Sequence, residues 1–225
     1  MKSRYLMIIV VFVGLLSACQ PKEVNFAGTW TTNIAVVDLQ QAGNKVTGSV
    51  KGYGGFWNFD LSGTVSGSTL TFEGETPLGP LAIILAKDGR TFRGADPATA
   101  FCGSHDVALP AGCGFSGTWK LKTDLVPTGS LAKLTQTGAS VKGAVYDPNG
   151  VVLVPLDSQV NWGKGWSAEG VNEWGNFTLI MTANDKAFLL ITEVTVPPVK
   201  ESKEWCGLRE TESSAYVLFF TCTIP

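Results

Sequence analysis

Phe26-Ala27-Gly28-Thr29-Trp30 returns 89 residues later as Phe115-Ser116-Gly117-Thr118-Trp119. Leu39-Gln40-Gln41-Ala42-Gly43 returns as Leu134-Thr135-Gln136-Thr137-Gly138, and Val46-Thr47-Gly48-Ser49-Val50 as Val141-Lys142-Gly143-Ala144-Val145, both at an offset of 95. Beyond these the offset is 96: Glu73-Gly74 meets Glu169-Gly170, Leu78-Gly79 meets Trp174-Gly175, and Leu81, Ile83, Leu85 and Phe92 meet Phe177, Leu179, Met181 and Phe188. Cys102-Gly103 then matches Cys206-Gly207. Ordered matches with a slowly drifting offset are the mark of an internal duplication. Any fold open to one unit must be open to the other, which divides the chain into unit one, residues 26–114, and unit two, residues 115–225.

Each unit reads as β. Lys45 to Val50 alternates and stops at glycines. Leu61 to Phe72 reads as a hairpin turning at Ser66-Gly67-Ser68. Leu81 to Leu85 is an apolar strand that Lys87-Asp88-Gly89 turns back into Thr91-Phe92-Arg93, and Asn184-Asp185 holds the same turn in unit two. Turn signals recur about every ten residues, the spacing of a sandwich or barrel. No stretch keeps a 3.6-residue period long enough for a substantial helix. The expectation is an all-β protein of two tandem antiparallel units, each a small barrel or sandwich of roughly six or seven strands, or the two merged into one larger barrel.

The start of the chain has a different character. Lys2 and Arg4 precede an apolar run, Leu6 to Leu16, and small residues follow it. This is the plan of a secretory signal peptide, and the run is shorter than the roughly 20 residues of a membrane-spanning helix. Leu16-Ser17-Ala18-Cys19 resembles the lipobox of bacterial lipoproteins. The resemblance implies removal of residues 1–18, a diacylglyceryl thioether on Cys19, and a further acyl chain such as palmitate on the new amino group. Gln20 after the cysteine, where Asp commonly means inner-membrane retention, favours the outer membrane of a Gram-negative envelope. Residues 19–25 would then be a tether of at most about 20 Å.

Setting Cys19 aside leaves Cys102, Cys113, Cys206 and Cys222, two per unit, as an oxidising compartment would favour. Four cysteines allow three pairings, and the repeat selects one disulfide per unit, Cys102–Cys113 and Cys206–Cys222.

The Gly-x-Trp at the head of each unit, followed by an up-and-down run of strands, resembles the calycin superfamily of lipocalins and avidin-type barrels. The resemblance implies that Trp30 and Trp119 plug one barrel end and that a small ligand binds inside. It also implies an arginine packed on the Trp. Arg93 aligns with Leu189, so Arg93 cannot fill that place in both units.

Chemistry is sparse. The net charge of −2 becomes −4 once Lys2 and Arg4 are removed, and no basic patch invites nucleic acid. His105 is the single histidine. Ser104-His105-Asp106 looks like a catalytic triple, but adjacent residues on an extended segment point to opposite faces. One histidine does not furnish a zinc site, no EF-hand loop occurs, and the aligned Glu73 and Glu169 read as structural. No cofactor, metal or catalytic residue is expected.

Aromatics are the better lead, with seven tryptophans in the chain. Trp166 and Trp174 replace Leu70 and Leu78 and read as core. Trp162 aligns with Ser66 at a hairpin tip, which puts a large ring on an exposed Gly-rich turn, and Tyr53-Gly54-Gly55-Phe56-Trp57 reads similarly. Trp162, Trp57 and Tyr53 are therefore the candidate contacts for a sugar ring, an envelope protein or the bilayer surface. The expected function is a membrane-anchored structural or interaction module without catalysis. The rivals are a calycin-like binder of a small apolar or glycan ligand and, last, an envelope hydrolase.

Overall fold

The computed structural model of the chain describes residues 24–225, apart from 56, 75, 77–78, 97–99, 124, 162–166, 174, 183, 197–198, 218–219 and 224–225. Cys19 and residues 1–18 lie outside the described residues. So do Trp162, Trp166 and Trp174.

The described chain is all-β, and its two units form two separate closed barrels of eight antiparallel strands each. Barrel 1 contains β1 Gly28–Thr32, β2 Ala35–Ala42, β3 Lys45–Gly52, β4 Asn58–Ser66, β5 Thr69–Phe72, β6 Ala82–Leu85, β7 Thr91–Gly94 and β8 Cys102–Ser104. Barrel 2 contains β9 Gly117–Lys122, β10 Leu131–Thr137, β11 Ser140–Tyr146, β12 Val152–Val160, β13 Ser167–Asn172, β14 Gly175–Met181, β15 Ala187–Val196 and β16 Val199–Arg209. Neighbours in sequence are neighbours in the barrel, and β1 closes on β8 as β9 closes on β16. Eight strands complete each ring, more than the six or seven read from sequence. Two full rings also exclude a single merged barrel.

Alternation makes the barrels. Val37, Leu39, Val46, Val50, Leu70 and Ile83 point into barrel 1, and Ala132, Leu134, Val141, Val154, Leu156 and Leu179 into barrel 2. Closure pairs the first strand of each barrel with its last, which removes the sheet edges that invite strand-to-strand aggregation. A glycine pair lets the strands pass closely. A Cβ on Gly48 would sit 2.1 Å from the Asp38 carbonyl oxygen, and on Gly143 1.9 Å from that of Lys133.

A third sheet covers barrel 2 from outside. β17 Ser214–Val217 and β18 Phe220–Thr223 pair as a ribbon. The ribbon lies over the outer side of β15 and β16, where Ala187, Leu189, Cys206, Leu208 and Cys222 form a buried cluster. This explains why β15 carries apolar residues on both faces. The disulfides are Cys102–Cys113 and Cys206–Cys222, one per unit as the repeat requires.

The barrels stack head to tail. The end of barrel 1 carrying the β1–β2 turn meets the end of barrel 2 where β9 begins. Asn33 and Ile34 of that turn pack with Gly114, Phe115, Gln136, Val160 and Met181. Gln136 Nε2 donates to the Asn33 carbonyl at 2.8 Å. The connecting segment is stitched along barrel 2, with Leu109 N donating to the Gln136 carbonyl and Gly138 N to that of Val107.

Strand pairing corrects one stretch of the sequence alignment. Leu70 faces Ile83, while Leu179, the equivalent of Ile83, faces Ala168. Ala168, not Trp166, therefore takes the place of Leu70, and Glu169 takes that of Thr71 rather than Glu73. The two-residue turn Gly67-Ser68 between the Ser66–Thr69 pair becomes the segment 162–166 between Asn161 and Ser167. Asn161, which pairs with Ser167, thus stands in the place of Ser66.

Candidate functional site

The same device caps one end of each barrel. Trp30 and Trp119 are fully buried, and their indole N–H groups donate to the carbonyls of Phe26 at 2.8 Å and Phe115 at 3.0 Å. A phenylalanine stands edge-on to each indole: Phe92 at 5.1 Å from Trp30, Phe188 at 5.0 Å from Trp119. Gly103 and Gly207 make room for those rings, since a Cβ there would lie 2.6 and 2.5 Å from them. Gln41 and Gln136 complete the motif by accepting from the Phe26 and Phe115 amides at 2.7 and 3.1 Å.

The caps differ in what covers the indole. Arg209 lies over Trp119, 4.2 Å from the ring centroid. Its guanidinium donates to the carbonyls of Asp185, Ser116 and Gly114 at 2.6, 2.9 and 2.6 Å, and Nη2 also pairs with the Asp185 carboxylate. Asp185 sits in the β14–β15 turn with a left-handed backbone, φ 60°. Burial pushes the Asp185 carboxyl up to about 7; Arg209 chiefly, and Arg93, oppose that shift. In barrel 1 the equivalent position is His105, whose ring stacks on Trp30 with centroids 3.6 Å apart and whose Nδ1 meets the Thr29 carbonyl at 3.1 Å. An arginine does therefore pack on the barrel tryptophan, in barrel 2 alone. The sequence search looked for it at Arg93, whereas the place lies three residues after each strand cysteine, at His105 in unit one and Arg209 in unit two.

Ser104, His105 and Asp106 do not converge. Asp106 pairs with Arg90 at 2.5 Å, and the buried Ser104 hydroxyl accepts from the Asp106 amide.

The aromatic contact residues separate. Tyr53 is buried in the seam between the barrels, packed with the core of barrel 2, and its hydroxyl donates to the Thr32 carbonyl at 2.9 Å. Its placement on an exposed turn is wrong: the turn folds inward because barrel 2 covers it. Trp57 is half-buried, stacks on Phe59 at 5.5 Å and fills the hollow over Gly52. It also lines the apolar interior of barrel 1 with Phe59, Phe72, Phe92 and Phe101, where side chains leave a cavity of only about 20 Å³. Trp162 lies outside the described residues.

Exposed large apolar side chains concentrate on the free end of barrel 2. Leu125 and Val151 in strand connections, Val152 at the start of β12 and Val171 near the end of β13 stand there, 39 to 69% exposed. Sequence reasoning passed over them because isolated valines beside turns carry no periodic signal.

At the opposite, free end of barrel 1 is a groove of about 440 Å³ lined by Val24, Ala27, Ser68, Leu85, Lys87 and His105 among others. No family model, curated protein or solved structure matches the chain.

Proposed function

We propose that this protein is an envelope lipoprotein, held on a membrane through acylated Cys19, that serves as a non-catalytic structural or interaction module. The observation that carries the reading is the packed interior of barrel 1. A site for a drug-sized ligand occupies roughly 300–1,000 Å³, against the 20 Å³ left here. Among the described residues, Trp30 closes one end of that barrel and barrel 2 packs against the other. The apolar residues at the free end of barrel 2 offer a contact surface, for an envelope protein before a glycan since valine and leucine stack poorly on sugars.

Native mass spectrometry of the protein purified from its own envelope tests the reading. The expected spectrum shows acyl chains on Cys19 and no other small molecule. Cys19→Ser should move the protein from the membrane to the soluble fraction, and continued membrane association of the variant would remove the anchor from the account.

The rival reading is a calycin-like binder. The Trp119–Arg209 packing and the two eight-stranded rings support that reading. A retained apolar molecule of a few hundred daltons would install it.

A further inference from the structure

A cleft runs beside the seam. Arg93 and Asp96 of barrel 1 wall it on one side, Asn184, Asp185, Lys186 and Arg209 of barrel 2 on the other, and it measures about 420 Å³ among the described residues. Clefts of this size between two packed bodies are common sites for small molecules. Three cations face it, and two of them are already engaged. Arg209 pairs with the Asp185 carboxylate and donates to three carbonyls. Lys186 pairs with Glu212 at 3.5 Å. Arg93 differs. It is exposed, its Nη1 donates to the Gly112 carbonyl at 3.1 Å, and no carboxylate among the described residues pairs with it. A guanidinium carries five N–H donors, so this one has donors to spare.

The fold does not ask for an arginine there. Phe92 is buried in the core of barrel 1, so the next residue on β7 points outward. The counterpart of Arg93 in barrel 2 is Leu189, 2% exposed beneath the ribbon. The arginine also works against its neighbour. Burial, chiefly, holds the Arg209 guanidinium below its ordinary range; Asp185 opposes that, and Arg93 adds to it as a like charge from the other barrel. An anion placed between two such cations relieves their repulsion. We propose that the cleft binds a small organic anion whose carboxylate or phosphate pairs with the Arg93 guanidinium, with the Arg209 charge behind it. The planar fork of arginine matches either group. The inference is independent of the anchor and of the packed interior of barrel 1. A guest held at an exposed arginine exchanges with solvent, so it is found by titration and not by retention through purification.

The test is titration of the full chain in detergent, at low salt, with glucuronate, glucose 6-phosphate and neutral glucose, read by saturation-transfer NMR. At least one of the two acids should bind wild type, and glucose at least about tenfold more weakly than that acid. Arg93→Ala should lower the affinity for the acid by about tenfold or more, and Arg93→Lys should fall between the two. Arg90→Ala is the control, since Arg90 is an equally exposed arginine that pairs with Asp106 away from the cleft, and its binding should match wild type. If near-ultraviolet circular dichroism shows that Arg93→Ala disturbs the seam, Arg93→Gln decides the same question, because it keeps a donor for the Gly112 carbonyl without the charge. No binding of either acid by wild type overturns the proposal, as does glucose binding as tightly as the acids. Equal affinity of wild type and the uncharged Arg93 variant overturns it too, and so does an equal loss in Arg90→Ala, which would mark general attraction to surface charge.

Discussion

Arg209 lays its guanidinium on the Trp119 indole, 4.2 Å from the ring centroid, and from there bonds the carbonyls that bracket the start of barrel 2. One side chain thereby joins the last barrel strand, the cap and the β14–β15 turn. Arg209→Leu strands the Asp185 carboxyl without its cation, a loss of about 3–5 kcal/mol for a broken buried pair. Arg209→Lys keeps the charge but not the planar fork and should recover less than half of that. Urea unfolding followed by tryptophan fluorescence measures both, and equal stability of Arg209→Leu and wild type would refute the arrangement.

Asp185 makes stability depend on pH. Its folded-state pKa, about 7, lies above the ordinary carboxyl value of 3.8, so between those values the folded state holds more proton than the unfolded one. The contribution is fully present below about pH 4 and is lost as pH rises through 7. The urea midpoint of wild type should therefore fall, relative to Asp185→Asn, between pH 5 and pH 8. A parallel pH dependence in the two proteins would show that Asp185 does not titrate there.

Gly48→Ala and Gly143→Ala should each cost more than about 3 kcal/mol, the upper range for overpacking, because the added carbon meets backbone and not a movable side chain. Gly43→Ala is the control. Nothing lies within 4 Å of its added Cβ, and only its left-handed backbone resists, at about 1–2 kcal/mol. Thermal melts rank the three.

Tyr53 reports on the seam. Tyr53→Phe removes the bond to Thr32 and should cost about 1 kcal/mol, whereas Tyr53→Ala opens a hole worth about 3–5 kcal/mol. Burial also pushes the Tyr53 phenol above its ordinary range, so spectrophotometric titration of wild type should show one more late-ionising tyrosine than Tyr53→Phe.

The Cys206–Cys222 bridge closes a segment of 16 residues, for which the loop-entropy account gives about 3 kcal/mol. Replacing both cysteines with serine should release the β17–β18 ribbon and admit protease within residues 210–213, while barrel 1 remains intact on the gel.

Much of this was legible in the sequence, for reasons that identify what was not. Phe-x-Gly-Thr-Trp carries the duplication because the Trp, its phenylalanine and the glycines are all demanded by one cap. The disulfide pairing followed from the same repeat. The alignment slipped at Glu73 and Glu169 because unit two gains three residues after β12 and loses two before β14, and the changes nearly cancel. Tyr53 was misplaced since a Gly-rich aromatic turn looks the same whether solvent or another barrel lies beyond it. The difference between the two caps could not be read at all, because aligned residues of unlike chemistry, His105 and Arg209, cover the same indole.

The head-to-tail seam also sets the symmetry of the molecule. Two like barrels joined by a two-fold axis would show the same surface at both extremities and bury one patch against its twin. Joined as translated copies, they expose a cap at one extremity and strand connections at the other. The duplication therefore produced a vector: one pole receives the N-terminal segment at Val24, and the other presents Val151 and Val171, a surface that barrel 1 buries at its own equivalent end.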